Sequence, residues 1–353
     1  MRVLQIMAGA KNGGAELYST DIMLSLHEAG LEQRIVMRRA APRFAELARA
    51  GLSMAPEVLA APLRPLQRRR LALLIRDDRP DIIHCWMRRA VSLVAPGAAP
   101  AIIGWYGDYE EQQKHFSACT DFIGVTQDLV RHAYASGAAP GSAFYVPTFP
   151  SVEEAAPIAK ETLGTPPERK ALLILSRLHQ VKGIDTALHA LAQLPDCDLW
   201  IAGSGPEEAA LKALAARLGV AERAKFLGWR NDRGALLRGA DICLLPSRYE
   251  PFGTVILDAW STATPFIACE SDGPRATIRN GENGMMVPAD DPASLAGAIR
   301  AVLDDPALRA RIAQTGHAEY QAGFTRAVVT RRMLETYQAI LARHAAPAAS
   351  AAR

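Results

Sequence analysis

The chain has 353 residues, of which 49% are hydrophobic and 22% are charged, and its formal net charge is +3. This length predicts two domains, and the near balance of charge argues against a dedicated nucleic-acid-binding protein. The five cysteines are dispersed without a CxxC pair. That pattern argues against a zinc site or a disulfide framework and favours a reducing compartment.

Short apolar runs alternate with amphipathic helical patterns in the first half, as expected for βαβ units with a parallel sheet. The start of the chain is too short for a signal sequence and leads into a glycine loop. No apolar run approaches the ~20 residues of a membrane span, so we expect a cytoplasmic protein. The predicted strands are 3–7, 35–37, 81–86, 101–105, 122–125 and 143–146, and a first helix ends near Glu28.

Residues 147–167 are rich in Pro, Ala and Glu without a clear period, which predicts a linker. The βα pattern then restarts, so we predict two doubly wound α/β halves with a ligand in the cleft between them. The predicted strands here are 171–176, 198–202, 225–227, 242–245 and 266–268. The predicted helices are 184–194, 206–218, one that begins near Thr254, 293–304, 306–318 and about 326–343.

Two cations follow the first strand of the second half. Arg177 ends that strand and Lys182 lies five residues further, before a helix. A guanidinium and an ammonium at a strand's carboxyl end suit a polyphosphate. The alternative is a pair of solvated surface cations.

Two further motifs follow strands in the same half. Gly203-Ser204-Gly205-Pro206 lacks the third glycine of a dinucleotide fingerprint and is either a ligand-binding loop or a structural turn. In Glu250-Pro251-Phe252-Gly253-Thr254, backbone amides lie at a predicted helix N-terminus, which favours an anion. Asp258 follows about one turn into that helix.

Taken in order, these motifs resemble retaining glycosyltransferase family 4, the glycosyl transferases group 1. Ser-Arg-x4-Lys-Gly, Gly-x-Gly-Pro, Phe-Leu-Gly, Pro-Ser-x-x-Glu-x-Phe-Gly and the closing 280–288 run occur as in that family. The likeness covers about residues 1–320 and is most specific over 171–290. It implies a GT-B fold: an acceptor-side Rossmann-like domain at 1–150, with a helix at about 326–345 returning to it, and a nucleotide-sugar-binding domain at 165–325.

The resemblance also implies a UDP- or GDP-sugar donor and retention at the anomeric carbon. We expect no catalytic metal ion or other cofactor, because two cations and helix N-termini can neutralise the diphosphate. Arg177 and Lys182 would hold the diphosphate, and Glu250 the sugar hydroxyls. The family has a glutamate at both ends of an E-x7-E motif. Here the motif begins at Glu250 and ends in Asp258, which we expect to bind the ribose hydroxyls. The residues expected to bind the donor are Gly13, Gly14, Gly203, Gly205, Leu227, Pro251, Phe252, Gly253, Thr254 and Asp258.

In the first half, the run 104–109 departs from the family's His-Gly. We place Tyr106 at the histidine position, as a hydrogen-bonding group to a sugar hydroxyl. Asp108 could serve as a base if burial raised its pKa; otherwise both residues merely shape the loop. We expect His84, Trp86 and Arg88, at the end of a strand, on the acceptor side, with a structural histidine as the alternative.

Other charged patterns have competing interpretations. Asp196-Cys197-Asp198 resembles a metal-binding Asp-x-Asp, but it precedes a strand, away from the carboxyl ends. Asp290-Asp291 and Asp304-Asp305 are typical of helix caps. The arginines at 64 and 68–70 form either a solvated helix face or a contact with an anionic membrane surface.

The sequence thus predicts a hexosyltransferase-type enzyme that acts on a glycan or lipid-linked acceptor of lipopolysaccharide or another envelope polymer. We expect it in the cytoplasm or peripherally at the cytoplasmic membrane face. Rival hypotheses are a sugar-nucleotide epimerase or phosphorylase, which Glu250-Pro251-Phe252-Gly253 disfavours. A third is a non-catalytic GT-B subunit, which Arg177, Lys182 and Glu250 argue against.

Overall fold

The computed structural model describes residues 1–9, 14–41, 43–60, 63–109 and 113–345. The chain divides into two compact units. The N-terminal unit comprises Met1–Phe149 and the chain from Arg326 onward, and the C-terminal unit comprises Pro150–Thr325.

The strands fall on apolar runs of the sequence. Because the strands in the middle of a parallel sheet are covered on both faces, most of their residues are apolar and no alternation appears. The strands are β1 (Arg2–Met7), β2 (Glu32–Met37), β3 (Ser53–Met54), β4 (Ile82–Trp86), β5 (Ala101–Tyr106), β6 (Asp121–Gly124), β7 (Ala143–Tyr145), β8 (Lys170–Leu175), β9 (Cys197–Ala202), β10 (Ala224–Gly228), β11 (Ile242–Leu245), β12 (Phe266–Cys269) and β13 (Met285–Val287).

The helices between them cover the sheet faces. They are α1 (Gly14–Glu28), α2 (Phe44–Arg49), α3 (Glu57–Ala60), α4 (Arg64–Asp78), α5 (Met87–Val91), α6 (Gln127–Ala135), α7 (Ile184–Leu191), α8 (Glu208–Arg217), α9 (Arg233–Gly239), α10 (Thr254–Ser261), α11 (Asp272–Thr277), α12 (Pro292–Asp304), α13 (Pro306–Gly323) and α14 (Arg326–Ala345).

Each unit is built on one parallel sheet. The order is β3-β2-β1-β4-β5-β6-β7 in the N-terminal unit and β10-β9-β8-β11-β12-β13 in the C-terminal unit. In both, the strand order reverses beside the first strand, as in a Rossmann-like fold. The prediction of two doubly wound α/β sheets is confirmed. The helix α6 and the short elements α2, α3, α5, α9, α11, β3 and β13 were not predicted.

The last helix belongs to the N-terminal unit, as predicted. Helix α14 packs on α1, where the hydroxyls of Ser25 and Thr330 lie 2.5 Å apart in the interior. Near its other end, Arg343 and His344 contact the fully buried Asp121 of β6 at 2.8 and 2.6 Å. A buried carboxylate needs such partners, because an unpaired charge in the interior is strongly unfavourable.

A buried polar network also holds α14 against the sheet. The hydroxyl of Tyr337 lies 2.7 Å from His84 Nδ1 and 3.3 Å from Gln5 Nε2. The Gln5 side chain also donates to Gln33 and accepts from the indole of Trp86. Burial lowers the pKa of His84 to about 3. The imidazole is therefore neutral at pH 7, and the network joins β1, β2, β4 and α14 without a buried charge.

Several helix starts follow the sequence rules for capping. Asp291 accepts a hydrogen bond from the Ser294 amide, and Asp305 from the amides of Ala307 and Leu308. These contacts confirm both residues as caps, each followed by a proline at the first helical position. Across the described residues, no helix is both long enough and apolar enough to cross a lipid bilayer.

We predict that Tyr337→Phe lowers the free energy of unfolding by about 1–3 kcal/mol, because buried groups of His84 and Gln5 lose a partner. Urea unfolding followed by circular dichroism would measure the change. Tyr320→Phe on α13 is the matched control, since its ring is only half-buried, and should change stability by less than about 0.5 kcal/mol. Equal stability of both variants would contradict the role given to the hydroxyl.

Candidate active site

The predicted donor loops meet at one edge of the C-terminal sheet. Strands β8, β9 and β11 are parallel, so their carboxyl ends lie at the same edge. The Leu178 amide donates to the carbonyl of Ser204 at 3.0 Å, and the Arg248 amide to that of Val181 at 2.9 Å. The loops that follow the three strands are thus joined by backbone hydrogen bonds.

Lys182 and Glu250 are in direct contact within this cluster. Lys182 Nζ lies 2.6 Å from Glu250 Oε2, and the two side chains are 16% and 15% exposed. The Glu250 carbonyl accepts the Gly273 amide at 2.7 Å, which fixes its loop to α11. The carboxylate therefore orients the ammonium at a partly open position, where both can reach one ligand.

Arg177 is exposed on the same loop as Lys182. Within the part of the chain that the structure describes, it forms no salt bridge. Its guanidinium can therefore turn toward an anion without first losing a carboxylate partner.

Close packing of backbone leaves room only for glycine at several positions of these loops. A Cβ on Gly205 would overlap the carbonyl oxygen of Leu178. A Cβ on Gly203 would overlap the carbonyl oxygen of Ser176. Gly183 has φ +62°, and a Cβ there would overlap the carbonyl of Pro246. These contacts explain why the Lys-Gly and Gly-x-Gly motifs contain glycine: the loops can approach each other only where no Cβ is present.

Helix α10 begins at Thr254, as predicted. Gly253, with φ +82°, is its N-cap, Phe252 is buried and Thr254 is exposed. Pro251 and, on β10, Leu227 are half-buried. The free amides of this helix N-terminus follow directly on Glu250, so they add positive potential on the same loop.

Asp258 lies deeper than a solvent-accessible ribose contact would require. It is 2% exposed, and its Oδ2 lies 3.0 Å from Arg233 Nη1. Burial raises the pKa of Asp258 to about 6, although the Arg233 guanidinium favours the carboxylate form. Asp258, which we expected to bind the ribose, thus accepts a hydrogen bond from Arg233, 25 positions earlier in the sequence.

In the N-terminal unit, three predicted site residues are part of the core. His84 and Trp86 are fully buried and stacked, with ring centroids 4.3 Å apart. Tyr106 is 1% exposed and packs edge-on against Phe116 and Phe122. This burial favours the alternative of a structural histidine, and it places the Tyr106 ring in the core of the N-terminal unit.

Arg88 and Asp108 are exposed. A base role for Asp108 required the carboxyl group to be buried, and this condition is not fulfilled. Gly14 begins α1, whereas Gly13 lies outside the described residues.

The Asp-x-Asp sequence has a structural explanation. Asp198 is 2% exposed within β9, where it accepts from Arg169 Nε at 2.6 Å and from Thr165 Oγ1 at 3.0 Å. The described residues contain no group of three or more His, Cys, Asp or Glu side chains that could hold a metal ion.

Two site features were not predicted from sequence. Among the residues that the structure describes, the buried hydroxyls of Ser247 and Ser271 find no hydrogen-bond partner, and the two residues follow β11 and β12. Both lie at the edge where the donor loops meet. Their position directly after buried strands is the only signal that the sequence offered.

Comparison with known proteins agrees with this arrangement. The model of the family described as glycosyl transferases group 1 matches residues 156–319. The chain is 29% identical to the lipopolysaccharide core biosynthesis glycosyltransferase LpsE of Rhizobium meliloti, covering 92% of this chain and 96% of that protein. It is 28% identical to LpsD of the same organism, covering 96% and 98%.

Among solved structures, Anabaena HepE in complex with UDP and glucose superposes with a TM-score of 0.81 at 20% identity. The match covers 96% of this chain and 99% of HepE. The two Rossmann-like sheets and the loop cluster after β8, β9 and β11 define an enzyme with the GT-B fold. The chain is a glycosyltransferase, and its residues 156–319 match the glycosyl transferases group 1 family.

We predict that Gly203→Ala weakens donor binding, because its Cβ displaces the loop that carries Ser176 and Arg177. The loss of binding can be measured by calorimetry with UDP and compared with the change in thermal stability. Gly297→Ala on α12 is the control, since a Cβ there meets no atom within 4 Å and alanine favours a helix. Wild-type affinity for UDP in Gly203→Ala would contradict the close packing of these loops.

Proposed function

We propose that this enzyme transfers a hexose from a UDP- or GDP-sugar to an envelope glycan or lipid-linked acceptor, with retention of anomeric configuration. The observation that carries the proposal is the cluster of Arg177, Lys182, Glu250 and the α10 N-terminus on adjoining loops. LpsE and LpsD, which match nearly the whole chain, support lipopolysaccharide core assembly as the process.

In this proposal, the cations act on the leaving group. As the bond between the anomeric carbon and the diphosphate breaks, negative charge grows on the phosphate oxygens. Arg177, Lys182 and the α10 amides stabilise that charge more in the transition state than in the ground state. Glu250 holds sugar hydroxyls while it keeps Lys182 in place.

The acceptor hydroxyl then bonds to the anomeric carbon on the face that the diphosphate leaves, and its proton passes to the departing phosphate oxygen. No protein base is needed for this step. The two cations and the helix N-terminus supply the positive charge, so the proposal calls on no metal ion.

We predict that Arg177→Ala and Lys182→Ala each lower turnover by a factor of about 10²–10³, the scale of losing one preorganised electrostatic donor. UDP release from UDP-glucose, the first donor to test because HepE was solved with UDP and glucose, would measure the loss. Arg217→Ala, at an exposed position of α8, should leave turnover unchanged.

Near-wild-type turnover of both variants at saturating donor would contradict the assignment of the cations. NMR of the product separates the reaction type from the identity of the site. An inverted anomeric centre would overturn the retaining mechanism.

We also propose a peripheral position at the cytoplasmic membrane face, where lipid-linked acceptors are available. Leu63, Leu66 and Leu73 are 61%, 43% and 43% exposed on or next to α4. Arg69 and Arg70 are exposed between these leucines. Exposed apolar side chains interleaved with arginines are typical of a helix that lies on an anionic lipid surface.

We predict that Arg69→Gln/Arg70→Gln weakens binding to phosphatidylglycerol vesicles by about 30-fold, since each surface cation contributes about 1 kcal/mol. Co-sedimentation would measure it. Arg49→Gln/Arg217→Gln removes the same charge at exposed positions away from α4 and should have little effect. Equal binding of the wild type to neutral phosphatidylcholine vesicles rules out this docking mode.

A further inference from the structure

The N-terminal unit contains a cavity of about 900 Å³ that the proposed function does not use. Its walls come from the segments after β2, β4 and β5 and from the first turns of α4. Because these strands are parallel, the segments after them lie at the carboxyl edge of the sheet, where Rossmann-like folds bind ligands.

The cavity wall is strongly basic. The described residues that line it include no aspartate or glutamate. The described cations of the wall contribute a formal charge of +6, against +3 for the whole chain. They are Arg38, Arg64, Arg68, Arg88, Arg89 and Lys114.

Five of these cations have no carboxylate partner among the described residues. No salt bridge joins Arg38, Arg64, Arg68, Arg89 or Lys114 to any acidic side chain in the described ranges. In the same unit, Arg34 and Arg43 are paired with Asp78 and Asp21, each at 2.6 Å. Gathering unpaired cations in one concave site is unfavourable unless an anion occupies it.

Two buried nitrogens in the wall point to the same conclusion. Arg38 Nε and His115 Nδ1 are removed from solvent and have no hydrogen-bond partner among the residues described. Buried polar atoms are nearly always paired in native proteins. An oxygen-rich anion in the cavity would accept from Arg38, whose planar guanidinium matches phosphate and carboxylate.

The rest of the wall suits a sugar rather than an ion alone. Leu59, Val91 and Leu93 are buried and apolar, while Gln67 and Ser117 add polar groups. The volume is that of a site for a small organic ligand rather than a single phosphate.

We propose that this cavity binds the negatively charged part of the acceptor: a short saccharide that carries phosphate or carboxylate groups. The inference rests on the proposed glycosyltransferase function and names the acceptor's chemistry. It differs from membrane docking, because Arg64 and Arg68 line the cavity, whereas the leucines beside Arg69 and Arg70 face solvent. A flat lipid surface cannot fill a concave site.

Calorimetry with three probes tests the proposal: a deacylated, phosphorylated lipopolysaccharide core oligosaccharide, the same oligosaccharide after dephosphorylation, and inorganic phosphate. We expect the phosphorylated oligosaccharide to bind at least tenfold more tightly than the other two. Arg64→Gln/Arg68→Gln should weaken it by on the order of 100-fold, about tenfold for each charged hydrogen-bonding group.

The matched control is Arg69→Gln/Arg70→Gln, which removes the same charge from the same helix and should change this affinity by less than about threefold. Arg64→Lys/Arg68→Lys should restore part of it. Equal loss in the two glutamine variants, or equal affinity for the oligosaccharide with and without phosphate, would overturn the proposal. So would displacement of the oligosaccharide by phosphatidylglycerol vesicles, which would make the cavity a lipid site.

UDP release without acceptor keeps this inference separate from the proposed function. Arg64→Gln/Arg68→Gln should hydrolyse UDP-glucose at the wild-type rate, because the cavity residues lie outside the donor loops. A wild type that binds the oligosaccharide but cleaves no nucleotide sugar would refute the proposed function and leave the anion site standing.

Discussion

The carboxyl ends of parallel strands lie at the same edge of their sheet, and both candidate ligand sites of this molecule are built on that constraint. In the C-terminal sheet it brings together the loops after β8, β9 and β11, which are far apart in sequence. In the N-terminal sheet it gathers the segments after β2, β4 and β5 around the basic cavity. Each cluster therefore combines segments that are distant from one another in the sequence.

Structural and ligand-binding positions differ in whether their charged side chains are buried and paired. The buried carboxylates Asp121, Asp198 and Asp258 each contact an arginine. Their pairing fits a structural role, since an unpaired interior charge is unstable. Lys182 and Glu250 are paired but partly open, and Arg38, Arg64, Arg68 and Arg89 of the cavity form no salt bridge with the acidic side chains that the structure describes. Charged side chains that are solvent-accessible or unpaired thus indicate where a ligand of opposite charge can bind.

Much of the fold could be predicted from sequence because its signals are local. Strand β11 has the predicted bounds 242–245, and α10 begins at the predicted Thr254. Apolar runs and helix-start motifs specify such elements directly. Helices such as α3, with four residues, are too short to show a 3.6-residue period.

The site was predictable only in part, for a related reason. The donor motifs are compact and their order along the chain is informative, so Lys182 and Glu250 could be selected together. His84 and Trp86 lie on a strand buried along its whole length, and such a strand carries no alternation to show which side chains face outward. The partner of Asp258 and the cavity residues come from segments distant in sequence, and only the folded chain brings them together.

The position of α14 has a consequence for biosynthesis. Tyr337 follows His84 by 253 residues and Gln5 by 332, so the partners of this tyrosine leave the ribosome long before it does. The segment Pro150–Thr325 is continuous and holds all strands of its own sheet, so it can finish folding while the earlier unit still lacks a helix. Domains usually mature in the order of synthesis; here the unit translated first is completed last. Until then, the interior polar groups of Gln5, His84 and Asp121 depend on water for the hydrogen bonds that Tyr337, Arg343 and His344 later supply.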